Sequence, residues 1–166
     1  MERVTSPRSR GSRIIICGGR HFDDYETLEK VVDKVISELK LTSQEIEIVS
    51  GNCQGTDLLG ELYAEKHELK CTVFPAKWKK FGKAAGPIRN SEMIDYISDS
   101  ENPIVIAFVG PNSKGTMDTV NKAVKAGFTV YKIEYVMEEG RARIVSSARI
   151  GNSGEEELWV LSDVTN

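Results

Sequence analysis

The sequence is short of the marks that identify several kinds of protein. Cysteine is scarce: Cys17, Cys53 and Cys71 are odd in number and include no Cys-x-x-Cys pair. A disulfide framework and a zinc site are therefore not expected, and a reduced, cytoplasmic setting is. No apolar run comes near the roughly 20 residues that span a bilayer, so no membrane partner is expected. The opening MERVTSPRSRGSR has none of the apolar stretch of a signal peptide. Positive charge is not in excess either. The net charge is −3, and Arg3, Arg8, Arg10 and Arg13 against Glu2 put +3 on the first 13 residues, leaving −6 on the rest. An acidic body is not the footprint of a general DNA-binding surface. Two common nucleotide fingerprints are also incomplete. GPNSKGT has the spacing of a P-loop but carries Thr116 where the lysine belongs, and GNCQGTD is not Gly-x-Gly-x-x-Gly. ATP hydrolysis and hydride transfer fit poorly, and neither a cofactor nor a metal is expected.

What is present is the balance of an ordinary globular domain, 40% hydrophobic and 28% charged over 166 residues. That length suffices for one domain with a sizeable core. Short apolar runs, RIIICGG, EIEIVSG, CTVFPA, PIVIAFVG and FTVYKIEY, read as buried strands. Segments of helical period separate them. In DDYETLEKVVDKVISELK the residues Tyr25, Leu28, Val31, Val32, Val35, Ile36 and Leu39 share a face, with Asp23 and Glu26 as a capping box. TDLLGELYAEKHEL, PIRNSEMIDYIS with Pro87 near its start, and GTMDTVNKAVKAG ending at Gly127 read as further helices. KWKKFGKAAGP reads as a loop. The expected fold is α/β: a Rossmann-like parallel sheet of about five strands with helices on both faces, plus a C-terminal β-hairpin. The expected division is 1–12 as a disordered basic lead-in, 13–135 as the Rossmann-like domain and 136–166 as the hairpin extension. The hairpin either extends the sheet edge or pairs with a second copy in a homo-oligomer, and the residues leave both open. The basic lead-in is an arm able to make weak contacts with nucleic acid.

Three strands end in glycine: CGGRH, SGNCQGTD and VGPNSKGTMD. Ligands of open parallel sheets sit at the carboxyl ends of the strands. Glycine admits a ligand close to the backbone, and a helix start offers free N–H groups to phosphate. A tight strand–helix turn uses the same residues for structure alone, but three such loops on one rim point to a ligand site. The expected ligand is a nucleotide or nucleotide-sugar. The candidate binding residues are Gly18, Gly19, Arg20, Ser50, Gly51, Gly55, Thr56, Asp57, Trp78, Arg89, Asn90, Gly110, Gly115, Thr116 and Asp118. Asp57 and Asp118 are placed to accept hydrogen bonds from ribose or a base edge. Arg89 at a helix start opposes the helix dipole, which points to an anionic partner or to an ion pair with Asp57, Asp95 or Glu92. Asn90 reads a base edge or caps a turn. Trp78 stacks on a base or anchors its loop on the core. Lys79, Lys80 and Lys83 read as solvated surface, Cys53 as a loop thiol, and His21 as a polar rim contact. If the ligand is turned over by N-glycoside cleavage, Asp57, Asp118 and Glu61 are the available carboxylates, by analogy with glycoside hydrolysis.

The order GGR, SGNCQGTD, FPAKWKKFGKAAGPIRN, IAFVGPNSKGTMD resembles the SMF/DprA–LOG superfamily, SLOG, from about Arg13 to Ile133. It is most similar to the YspA-type branch, long called a domain of unknown function. FPAKWKKFGKAAGPIRN is the most specific block, although that branch usually has an acidic residue where Lys77 stands. The resemblance implies a Rossmann-like fold that binds nucleotides or their derivatives, with SGNCQGTD and VGPNSKGT lining the site and Arg89-Asn90 beside it. It further implies a sensor or binding module in nucleotide signalling or phage–bacterial conflict. Two alternatives follow from relatives in that superfamily. One is a phosphoribohydrolase of the Lonely Guy type, whose catalytic glutamate would stand where this chain has Thr119. The other is a single-stranded DNA-binding protein of the Smf type, which the acidic body argues against.

Overall fold

The computed structural model describes residues 9–162, with the backbone alone at Ser9 and Arg10. Seven strands form one sheet in the order β3-β2-β1-β4-β5-β6-β7. They are β1 Ser9–Gly18, β2 Ile46–Ser50, β3 Lys70–Val73, β4 Ser100–Val109, β5 Thr129–Glu138, β6 Arg141–Ile150 and β7 Glu156–Leu158. The first five are parallel, and β6 and β7 add antiparallel at the β5 edge. The helices are α1 Tyr25–Glu38, α2 Thr56–Lys66, α3 Trp78–Phe81, α4 Ala85–Ile97 and α5 Lys114–Lys125. None of the helices is long and apolar enough to cross a membrane, among the described residues.

Side chains alternate across a strand, so each central strand feeds two cores. Ile14 and Ile16 pack with Leu28, Val31, Val32 and Val35 of α1 and Tyr63 of α2. Ile15, Cys17 and Val105 pack with Met93, Ile94 and Ile97 of α4 and Val120 and Ala123 of α5. A strand buried on both faces must be apolar throughout, which is why the β1 and β4 runs show no polar alternation. The chain winds one way from β1 to β3 and the other way from β4 to β5. The strand order therefore reverses between β1 and β4, and their carboxyl ends diverge there.

The structure departs from the sequence reading in five places. Strand β1 begins at Ser9, inside the expected lead-in, because Ser9 and Ser12 already pair with Ser100 and Asn102 of β4. The rest of that lead-in, residues 1–8, lies outside the described residues. Arg13 is not a free arm residue. Its guanidinium donates to Glu47 at 3.2 Å and to the Tyr96 carbonyl at 2.7 Å, and lies 3.8 Å from the Tyr96 ring centroid. The cap of α1 is Asp24, not Asp23, with its carboxylate accepting from the Thr27 N–H at 3.2 Å. Residues 77–87 are not a plain loop: they hold α3, a 3-10 turn and the first residues of α4, which starts at Ala85 with Pro87 inside its first turn. A proline there costs nothing, since first-turn N–H groups lack helical partners. Finally, among the described residues of ELWVLSDV only Glu157 and Leu158 are strand, as the end of β7, and Asp163 and Val164 lie outside the described residues. Trp159 turns inward, 5% exposed, 4.7 Å from the Tyr131 ring and donating to Glu38 at 2.8 Å.

Candidate functional site

A cleft of about 950 Å³ opens at the carboxyl ends of β1, β4 and β5, over the starts of α4 and α5. Gly18, Gly19, Arg20, Asp57, Trp78, Arg89, Asn90, Gly115, Thr116 and Asp118 of the expected set line it. Ser50, Gly51, Gly55, Thr56, Gly110 and Glu61 do not. The structure gives a different occupation for most of these six.

The first glycine loop, between β2 and α2, is closed on itself. Ser50 donates to Glu61 at 2.7 Å and accepts from the Asn52 N–H at 3.0 Å, while the Asn52 amide also donates to Glu61 at 2.9 Å. Glu61 is thus a brace for the turn. Thr56 is fully buried and donates to the Gly19 carbonyl at 3.0 Å, and its N–H reaches the same oxygen at 3.2 Å. Gly55 has φ +88, and a Cβ there would stand 2.5 Å from the carbonyl oxygens of Gly19 and Arg20. Its glycine serves packing of one loop on another. A Cβ on Gly51 would stand 2.7 Å from a terminal nitrogen of Arg89 and 2.9 Å from Asp57 Oδ2, so Gly51 makes room for that pair.

Arg89 is 8% exposed. Its guanidinium donates to the Gly51 carbonyl at 2.5 Å and to Asn90 Oδ1 at 2.8 Å, and both terminal nitrogens lie 3.7 Å from Cys53 Sγ. None of Asp57, Asp95 and Glu92 pairs with it within ion-pair distance. Asp57 is nevertheless near enough for the positive charge to act on it. Burial is the largest influence on the Asp57 carboxyl and raises it. The Cys53 N–H at 3.2 Å and the Arg89 charge pull the other way, and the outcome is a carboxyl pushed up to about 6. Asn90 passes the network on, donating to Asp118 at 3.0 Å and to the Gly115 carbonyl at 3.3 Å. Asp118 also pairs with Lys122 at 2.8 Å. Both donors converge on the one carboxylate oxygen, Oδ2.

The second glycine loop, between β4 and α5, is open. Ser113 precedes α5 without a side-chain capping bond. A Cβ on Gly115 would meet nothing within 4 Å. Thr116 lies in the first turn of α5, 9% exposed, and Thr119 is 2% exposed below it. The start of this helix presents uncapped N–H groups and the positive end of its dipole to the cleft. Trp78, at the start of α3, is 49% exposed on the cleft wall with its ring over Gly86. It is a half-exposed aromatic surface and not an anchor buried in the core. Cys17 lies at the floor, its thiol pushed far up by burial and by Asp57. His21 and Cys53 also line the cleft. His67 caps the other end of α2, stacked on Tyr63 and 2.9 Å from Glu29, away from the cleft.

Sequence reasoning missed Tyr135, Val136 and Met137, which wall the cleft from the overhanging end of β5. A signal was present. Gly19 and Gly110 stand at the ends of the β1 and β4 runs, and a Cβ on either would collide with the Tyr135 hydroxyl. Paired strand-end glycines beside a strand ending in tyrosine mark room for that side chain.

Comparison with known proteins adds three findings. The family described as "YspA, cpYpsA-related SLOG family" matches residues 12–81, from β1 through α3. The "Gene 61 protein" of Mycobacterium phage D29 is 30% identical over 123 residues, 71% of this chain and 93% of the relative. Among solved structures, DNA processing protein A from Streptococcus pneumoniae overlays with a TM-score of 0.39 at 17% identity, covering 73% of this chain. The chain spans 58% of the length of that structure. With a phage relative matched along nearly its whole length and the family signature over its first three strands, this chain belongs to the YspA-related SLOG family.

Proposed function

We propose that this protein binds a nucleotide or nucleotide-derived ligand in the switch-point cleft. We read it as a sensor or binding module in nucleotide signalling or phage–bacterial conflict. The observation that carries this reading is the open start of α5: an uncapped first turn with Gly115 facing empty space inside the cleft. Phosphate suits such a helix start. Trp78 offers a base-sized aromatic face on the same cleft, and Arg20 stands on its rim. Arg89 supports this site from behind by holding Gly51 and Asn90, and Asn90 in turn holds the Gly115 carbonyl.

The test is thermal melting against a broad panel of nucleotides and nucleotide sugars. A ligand at a hundredfold excess over its Kd stabilises by about 2.7 kcal/mol. The Trp78 fluorescence should change on binding, while the buried Trp159 stays silent. Flat melting curves across the panel remove the reading. Tight single-stranded DNA binding at physiological salt replaces it with the Smf-type role.

A second reading has its own observation. Asp57 is a buried carboxyl at the cleft, poised at about 6, the range of a general acid or base. It supports hydrolysis of the nucleotide derivative. In that case Asp57→Asn keeps binding and loses turnover by orders of magnitude. In a pure binder the wild type releases neither free base nor ribose phosphate over hours.

A further inference from the structure

We propose that the Tyr135 hydroxyl is a ligand-binding donor, giving its hydrogen bond to a phosphoryl oxygen of the ligand between the ends of β1 and β4. The proposal rests on the nucleotide reading above and assigns a group to it that the glycine loops do not contain. Tyr135 is 4% exposed. Its ring is fully used by the protein, edge-on to Phe22 at 4.9 Å and 84°. Its hydroxyl has no hydrogen-bond partner among the described residues, and burial pushes its pKa up, which keeps the phenol neutral. The hydroxyl is not sealed in the core: Tyr135 lines the cleft, where the donor is open to a ligand, and phenylalanine would fill the same ring position without offering it.

The surroundings are cleared for this one oxygen. A Cβ on Gly110 would stand 2.6 Å from it, and a Cβ on Gly19 would overlap it. Two neighbouring strand ends are thus bare of side chains around a donor that serves nothing in the protein. Tyr135 and Gly19 both line the cleft, and Gly110 lies four residues before α5 begins. A neutral phenol donates, and so do the first-turn N–H groups of α5. Donors converging from a strand end and a helix start call for an acceptor with several lone pairs and negative charge, which a phosphoryl group supplies. Asp57 lies on the same floor, with its carboxylate already accepting from the Cys53 N–H at 3.2 Å.

The experiment is calorimetric titration of the full chain with inorganic pyrophosphate, ADP and adenosine. It compares wild type with Tyr135→Phe and with Tyr131→Phe, which alters the same strand away from the cleft. Tyr135→Phe is expected to weaken pyrophosphate and ADP by about tenfold or more, the scale of one hydrogen bond to a charged acceptor. It should leave adenosine unchanged and should not lower the melting temperature of the free protein. Tyr131→Phe should change none of these affinities. Pyrophosphate and ADP affinities within about twofold of wild type overturn the proposal. An equal loss for adenosine, or a drop in the free protein's melting temperature, overturns it as well. If ADP binds but ignores the substitution, the donor role falls and the nucleotide reading stands. If no probe binds the wild type, the donor role falls, and the broad melting panel decides the nucleotide reading.

Discussion

The two glycine loops, Ser50–Asp57 and Val109–Asp118, look alike on paper and are used in opposite ways. Each ends a parallel strand, each carries Gly-Thr into a helix, and each has an aspartate within two residues of that threonine. In the first, nearly every polar group has a partner inside the protein: Ser50, Asn52 and Glu61 with one another, Cys53 N–H with Asp57, and Thr56 with Gly19. In the second, the start of α5 lines the cleft and Gly115 faces empty space; the missing side-chain cap is common to both, since Gly55 supplies none to α2. The same local chemistry thus builds a scaffold at one strand end and an opening at the next. What separates them is position. The first loop lies against the β1 loop at Gly19 and Arg20, whereas the second lies at the reversal of strand order, where nothing covers it.

That contrast is sharpest in stability. Gly55→Ala forces a side chain into a glycine-only backbone region and against two carbonyl oxygens. We expect a loss of at least about 3 kcal/mol in urea unfolding. A loss under about 1 kcal/mol would show that the first loop yields, and the division of labour would collapse.

The next effect belongs to Asp57. Its folded carboxyl is raised from 3.8 to about 6, so the fold holds the proton more tightly than the unfolded chain does. The resulting stability is fully present below 3.8 and is lost as pH rises through 6. Asp57→Asn removes this dependence. The stability of wild type relative to the variant should therefore fall by about 3 kcal/mol between pH ~3.5 and ~7.5. A difference that stays level across that range would mean the carboxyl is solvated and the first loop is not closed.

The third expectation concerns the glycines around Tyr135. Gly19→Ala should cost about 1–3 kcal/mol, and most of that should return when Tyr135→Phe is added, because the hydroxyl is the atom in the way. Gly110→Ala should be rescued less, since its Cβ would also stand 2.7 Å from the ring carbon bearing the hydroxyl. Additive effects at Gly19 would break the link between the two positions.

The smallest effect is also the most telling for the comparison. Gly115→Ala should leave the free protein within about 0.5 kcal/mol of wild type, or slightly stabilise it as a helical Gly→Ala change does. The bulkier Gly115→Val should remove the ligand-induced rise in melting temperature. If Gly115→Ala destabilises the free protein as Gly55→Ala does, the second loop is also scaffold.

Much of this could be read from residue order, and the failures are instructive. Apolar runs and helical spacing located all five parallel strands and the main helices, because a strand buried on both faces tolerates few polar residues. The lining of the candidate cleft was legible where it relied on local chemistry, as at Gly115 and Thr116. It was not legible where a residue's role depended on a distant neighbour. Arg89 looked like a phosphate ligand, yet its nitrogens are directed at Gly51, Asn90 and Cys53. Glu61 looked like a free carboxylate and instead braces the turn it follows. Arg13 looked like part of a basic arm and is held by Glu47 and Tyr96.

The sequence by itself determined the parallel α/β core, its five strands, and the placing of glycine turns at their carboxyl ends. Those follow from burial and backbone freedom, which act over a few residues. Only the tertiary structure decided which glycine turn is open, where the C-terminal hairpin joins, and that β5 carries a tyrosine over the cleft. Each of those depends on strands far apart in the chain coming side by side. The pairing of Gly110 with Tyr135 exists only once β4 and β5 share a register, and no periodicity within either strand encodes it.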